Sequence, residues 1–283
     1  MNIANVRYEN YSGLAIIEDD DACLIEEWPS TDAYIKEETD PGERRRRLES
    51  ALGKARRVPV AAVSFLPALT SPGKIVCIGL NYRRHAEETG APIPQHPVVF
   101  SKFSDVVAAH QEAVEVPRET AQLDYEGELA MVVGDQCWRV EESEALKRVF
   151  GYCNANDFSA RDLQFTSSQW LLGKTLPRFA PLGPFIKTAD QVPNPDDLEI
   201  KTYRNHDLVQ HSNTKDMIFS CAQIIAYVSR HFVLRAGDVI LTGTPEGVVV
   251  GKPPEERRWL EPGERLTVAI EGLGRLENTL ISG

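Results

Sequence analysis

The chain has 283 residues, 42% hydrophobic and 26% charged, long enough to bury a substantial core and ordinary for a globular protein. Its formal net charge of −11 argues against nucleic acid or an anionic membrane as partner, since both demand a basic surface. A small anion stays within reach if a cation and a few Lys or Arg line its pocket.

The five cysteines (Cys23, Cys77, Cys137, Cys153, Cys221) are scattered without C-x-x-C spacing, as expected of reduced, buried thiols. The first residues lack a basic stretch followed by an apolar core, and no apolar run approaches the ~20 residues of a bilayer span. A soluble, cytoplasmic protein is expected.

In chain order, Leu14–Ile17 and Ala22–Ile25 flank an acidic quartet and read as a β-hairpin. Asp40-Pro41-Gly42-Glu43 has the pattern of a helix start, with a cap, a first-turn proline and a reciprocal glutamate. The helix carries Arg44 to Arg47, which spread around its circumference beside Glu43 and Glu49 and read as a solvated face. Pro67, Pro72 and Gly73 mark a boundary, giving a small N-terminal domain (1–70) and a larger domain (71–283) that holds the chemistry. Ile75–Ile78 is a short strand ending at Gly79; Asn81 to Gly90 suits a short helix stopped by glycine. A proline-punctuated loop, 91–97, leads to a strand at Val98–Phe100. Thr214 to Phe232 repeats apolar residues at helical spacing, with Asn213 or Thr214 as cap. Val239–Leu241 and the alternating Leu266–Ile270 read as strands. Short strands outnumber helices without regular β-α-β alternation, so the class is mixed α/β and β-rich, not a doubly wound sheet. Gly272-Leu273-Gly274 begins like a dinucleotide fingerprint but lacks its third glycine and the following helix.

The informative stretch is Leu123-Asp124-Tyr125-Glu126-Gly127-Glu128 and the apolar run Leu129 to Val133, a buried strand closed by Gly134-Asp135. Period-2 geometry points Glu126 and Glu128 to the same side. Two like charges entering an apolar strand repel each other and lose hydration; a divalent cation removes both objections. Asp157, at the end of a second apolar segment that begins at Val149, is the natural third ligand. Oxygen-only ligands suit Mg²⁺, Mn²⁺ or Ca²⁺ rather than zinc, and Mg²⁺ leaves positions open for a chelating substrate. The alternative is a pair of ordinary glutamates on a solvent-facing edge strand. Farther back, His85 and Glu88 are three apart and share a face if helical, so the carboxylate can orient the imidazole as a general base. An isolated H-x-x-E is equally an incidental surface pair. Lys174, after an apolar stretch with Trp170, is either a snorkelling surface residue or a buried cation facing an anion.

Together, Asp124 to Leu129, Asn156 to Gln164, Gly243-Thr244-Pro245-Glu246-Gly247-Val248, Gly73 to Tyr82 and Leu234 to Asp238 resemble signatures of the fumarylacetoacetate hydrolase family. The match runs from about Pro72 to the C-terminus, on the side of its shorter, acylpyruvase-like and 2-hydroxyhepta-2,4-diene-1,7-dioate isomerase-like branch. The resemblance implies a β-sandwich roll around the metal, Mg²⁺ or Mn²⁺ as cofactor, and a homodimer. It also implies that His85 and Glu88 sit on a lid, and that Lys174 and Gln164 hold substrate oxygens. Arg161 would anchor a carboxylate or brace the site, or simply pair with Asp162 or a ligand acid. Thr244 would offer a hydroxyl or amide to substrate, or merely satisfy its own turn. Ser101 to Asp105 departs from the family's pattern, and the N-terminal metal-ligand aspartate of the longer members is missing.

The implied chemistry starts from a 2-oxo acid that chelates the cation through its carboxylate and keto oxygen. Water activated by His85 and Glu88 attacks a carbonyl two carbons away, and the C–C bond between breaks. The expected partner is therefore a 2-oxo or 2,4-dioxo acid such as an acylpyruvate. Decarboxylation of an oxaloacetate-like acid, keto–enol isomerisation, and dehydration of a sugar acid fit the same site. A catalytically silent metal-binding protein is the reading from another class.

Overall fold

The runs on either side of Asp19-Asp20 form the expected hairpin: Tyr11–Glu18 pairs antiparallel with Asp21–Ile25, from Leu14↔Ile25 to Glu18↔Asp21. Asp19 turns the corner at φ 50°, a conformation its short polar side chain tolerates. The structure is a computed structural model that describes residues 1–38 and 40–283.

Among the described residues this hairpin lies at one end of a twelve-stranded sheet. The main path runs Arg56–Pro59, Asp21–Ile25, Tyr11–Glu18, Asn2–Tyr8, Ala180–Thr188, Val149–Asn156, Gly127–Val133, Val239–Leu241, Ile75–Gly79 and Val98–Lys102. A five-stranded sheet runs Asp207–Asn213, Glu199–Arg204, Arg265–Ile270, Arg275–Ser282 and Val114–Val116. The fold is thus mixed α/β and rich in strands, as the pattern predicts.

The strand Gly127–Val133 reads as a continuous apolar run because it is buried on both faces. Ala130 and Val132 face a core shared with Ile3, Leu14, Ile75 and the helical Leu48. Leu129, Met131 and Val133 face a second core built with Ile224 and Val228 of the helix Cys221–Ser229 and with Val268 and Ile270 of the smaller sheet. Residues 1–70 join the rest through Asn2↔Lys187 and Ile3↔Ile186, so segments 1–70 and 71–283 share one sheet and one core.

Two local readings are corrected. The helix expected over 214–232 is a 3₁₀ turn at Thr214–Asp216 followed by a helix confined to Cys221–Ser229. Between them Met217 bridges to Tyr82 and the Ile218 amide donates to the Asn81 carbonyl at 2.7 Å, which holds that stretch extended. Ser220 then starts the helix with a capping box to Gln223, while Asn213 caps only the short turn. The arginine-bearing helix Pro41–Leu52 is capped by Asp40, yet Arg44 is buried and donates to the Ile35 carbonyl at 2.8 Å. Only its neighbours behave as a solvated face: Arg45 pairs with Glu49, and Arg47 with Glu27 and Glu37. Gly272 and Gly274, at φ 73° and 74°, form the turn of the last hairpin. All five cysteines are free and buried.

Candidate active site

Register brings the acidic residues together. Gly127↔Asn156 begins the antiparallel pairing of two buried strands, so Glu126 and Asp157 stand side by side just beyond it. The Asp157 amide donates to the Glu126 carbonyl at 2.9 Å, and the Glu126 amide to Asn156 Oδ1 at 3.0 Å. Glu128 follows on the strand, and one carboxylate oxygen each from Glu126, Glu128 and Asp157 lie within 4.8 Å of one another. All three are buried, which disposes of the solvent-facing alternative.

Cations surround the acids. Lys174, buried at 1% exposure, donates to Glu126 Oε2 at 2.6 Å and to Asp157 Oδ2 at 3.0 Å, so it is the buried cation and not a snorkelling one. Lys102 donates to the other oxygen of Asp157 and to the Phe158 carbonyl. Arg161 lies 2.7 Å from Glu126 and 2.9 Å from Asp124, and donates to Gln164 Oε1 at 2.9 Å. Asp124 is itself buried and accepts from the Val249 and Val250 amides at 2.9 and 3.0 Å. Four buried carboxylates (Asp124, Glu126, Glu128, Asp157) therefore face three buried cations (Lys102, Arg161, Lys174).

The imbalance falls on Glu128. Burial raises the Glu126 carboxyl, but Arg161 and Lys174 outweigh that and hold it well below the usual carboxylate range. Glu128 has no cation within ion-pair reach among the described residues; its Oε2 accepts only the Gly243 amide, at 2.7 Å. Burial, and then the charges of Asp157 and Glu126, push its carboxyl far up. A buried acid facing two carboxylates with no cation of its own is the donor set expected where a divalent ion replaces a proton. The all-oxygen chemistry fits Mg²⁺ or Mn²⁺, and every carboxylate oxygen keeps lone pairs beside its protein partner.

The opposite wall comes from the turn after Val239–Leu241. Gly243 sits at φ 102°, and a Cβ there would lie 2.8 Å from Asn81 Cβ and 2.9 Å from the Ile78 carbonyl. Only glycine brings the amide this close to Glu128. Thr244 donates to the Gly127 carbonyl at 3.0 Å and accepts from Gln210 at 2.9 Å, so its hydroxyl braces the turn. His85 and Glu88 share a face of the short helix Arg83–Glu88, with Nδ1 3.3 Å from Glu88 Oε2. Glu88 also accepts from the Gly247 amide at 2.9 Å, which docks the helix against the turn.

These elements enclose one cavity of about 390 Å³. His85, Glu88, Glu126, Glu128, Arg161, Gln164, Lys174 and Thr244 all line it, and Asp157 backs it through Lys174. Sequence reasoning missed Lys102 and Asp124. Lys102 closes the edge strand Val98–Lys102 within the stretch that departs from the family pattern; Asp124 opens the acidic motif itself.

The family model for the C-terminal domain of fumarylacetoacetate (FAA) hydrolase matches residues 74–281. Over 222 residues the chain is 41% identical to the mitochondrial oxaloacetate tautomerase fahd2 of Xenopus laevis, covering 77% of this chain and 69% of that one. A fumarylacetoacetate hydrolase from the psychrophile Exiguobacterium antarcticum superposes with a TM-score of 0.87 at 31% identity, covering 100% of both chains. The maleylpyruvate hydrolase of Sphingobium sp. SYK-6, solved with manganese(II) and pyruvate, superposes with a TM-score of 0.81 at 27% identity, again covering 100% of both.

Proposed function

Since the chain belongs to the fumarylacetoacetate hydrolase family, we propose that it is a Mg²⁺- or Mn²⁺-dependent enzyme that hydrolyses a C–C bond of a 2,4-dioxo acid such as an acylpyruvate. The carrying observation is that a paired imidazole and carboxylate, His85 and Glu88, line the same cavity as the acids Glu126 and Glu128. A cation held by Glu126, Glu128 and Asp157 would supply an electrophile for the carboxylate and keto oxygen of the substrate.

The remaining work falls to the chain's own groups. Lys102 and Lys174 fix Asp157, and Arg161 and Lys174 fix Glu126, so the acids meet the substrate end without rearranging. Glu88 holds His85 through Nδ1 and supports its positive charge, leaving Nε2 to take a proton from water. The water oxygen adds to C4, the C3–C4 bond breaks, and the bonding pair stays with C3. The proton on His85 then reaches C3, giving a carboxylic acid and pyruvate. The Gly247 amide holds Glu88, and with it the short helix that carries His85, against the turn beside the cavity.

A second reading is favoured by the 41% identity to an oxaloacetate tautomerase: His85 would shuttle a proton at C3 and no C–C bond would break. The test is a panel of 2,4-dioxo acids and oxaloacetate with Mg²⁺, Mn²⁺ or chelator, read by mass spectrometry for cleavage and by ultraviolet absorbance for enol–keto interconversion, which leaves the mass unchanged. Metal-dependent release of pyruvate together with a carboxylic acid that carries one ¹⁸O from labelled water supports hydrolysis. Enol–keto interconversion of oxaloacetate without cleavage of any dioxo acid would replace it with the second reading.

A further inference from the structure

We infer that Arg257 is the specificity residue of this cavity and selects 2-oxo acids that carry a second carboxylate at the end remote from the metal. The inference rests on the 2-oxo acid reading and names the substrate class within it.

Arg257 lines the cavity, half-buried, together with Val250 and Gly251. Of the cations lining it, Lys174 is engaged by Glu126 and Asp157, and Arg161 by Glu126 and Asp124. Of the roles expected for Arg161, the pairing with a ligand acid is the one present, and its guanidinium is occupied by Glu126 and Asp124. Arg257 differs: among the described residues no carboxylate lies within 4.0 Å of it, in a chain with 42 acidic residues. Its Nε donates to the Lys252 carbonyl at 2.9 Å, and its Cζ sits 6.0 Å from the centre of the Trp259 ring. These contacts orient the guanidinium and leave both terminal nitrogens for a ligand, the fork that matches a carboxylate bidentately.

The support behind it is rigid. Arg204, clamped by Glu264 at 2.7 Å, donates to the carbonyls of Arg258 and Trp259, tying the segment to the smaller sheet. The cavity is also walled by Ile78, Leu80, Phe100, Phe165 and Trp170, which suit a short carbon chain.

The experiment is calorimetric binding to the Mg²⁺-loaded protein of unreactive acids matched in length. The pairs are 2-oxoglutarate with 2-oxopentanoate and 2-oxoadipate with 2-oxohexanoate. Because hydrogen bonds to charged groups exceed neutral ones, the dicarboxylate should bind roughly tenfold tighter in at least one pair. Arg257→Met should bring the members of that pair to within about twofold by weakening only the dicarboxylate, since one bidentate contact is lost. Arg257→Lys should fall between, and Arg258→Met, whose side chain bonds only to the Glu255 and Arg257 carbonyls, should leave the preference intact. Equal binding within both pairs, or a preference that survives Arg257→Met, overturns the anchor alone. Failure of all four acids to bind would take the 2-oxo acid reading down with it.

Discussion

Replacing Glu128 by Gln keeps the shape of the side chain and removes its charge, and the structure says what each state of the protein should feel. In the metal-free chain, burial and the charges of Asp157 and Glu126 hold the Glu128 carboxyl far above its ordinary range. Its folded pKa is raised, so its favourable contribution is complete below the unfolded value of about 4.3 and is lost as pH climbs toward the folded value. Glu128→Gln removes that slope, and without metal the variant should be at least as stable as the parent at pH 8. Metal reverses the order, because a cation that displaces the Glu128 proton stabilises the parent more as pH rises. At a free cation concentration of a hundred times Kd the gain is about 2.7 kcal/mol. For 283 residues, an unfolding entropy of about 2.1 cal/mol/K per residue makes that a Tm rise of roughly 4–5 °C. If loss of one ligand weakens Kd about a hundredfold, the same cation concentration leaves only about 0.4 kcal/mol, under 1 °C. The assay is thermal unfolding with EDTA or Mg²⁺ at pH 6, 7 and 8. A variant that keeps the full metal shift, or a parent without one at any pH, would refute the reasoning.

His85→Gln should lower kcat by about 10²–10⁴ while leaving the Mg²⁺-induced Tm shift unchanged; full turnover would remove His85 from the chemistry. Asp124→Asn leaves Arg161 with Glu126 as its sole ion pair and weakens the acceptor for the Val249 and Val250 amides. Breaking such a buried pair costs about 3–5 kcal/mol, with faster hydrogen exchange at 247–250, and an unchanged melt and exchange pattern would contradict it. Gly127→Ala places a Cβ 2.1 Å from Thr202 Oγ1, so it should destabilise strongly and be partly rescued by Thr202→Ala; no rescue would mean the clash lies elsewhere. Burial pushes the Cys137 thiol up to about 11 and Cys153 to about 12, so iodoacetamide at pH 8 should label neither until urea unfolds the chain.

What could be read in advance was what local pattern encodes. Period 2 put Glu126 and Glu128 on one side of a strand whose apolar run declared itself buried, and the H-x-x-E spacing put His85 and Glu88 on one helical face. Partner choice was not legible. Nothing in Asn2–Tyr8 says that it pairs with Ala180–Thr188, more than 170 positions away, and that pairing is what joins segments 1–70 and 71–283. Lys102 carries no local sign of its role, since a lysine closing an edge strand is ordinary until the fold buries it against Asp157. Apolar spacing across 214–232 fitted one helix, but the Asn81 carbonyl captures the Ile218 amide and Ser220 offers a better cap, so the helix starts late. For Arg161 the motif left a substrate anchor and a partner of a ligand acid equally open, and only the fold sets Asp124 and Glu126 against it.

The most direct measurement is anomalous diffraction at the manganese edge from a crystal of the protein soaked in Mn²⁺. The account predicts one strong peak per chain, at roughly 2.0–2.3 Å from a carboxylate oxygen of each of Glu126, Glu128 and Asp157 and in the cavity that His85 lines. A peak elsewhere, or no peak at a concentration that saturates binding in solution, would contradict it.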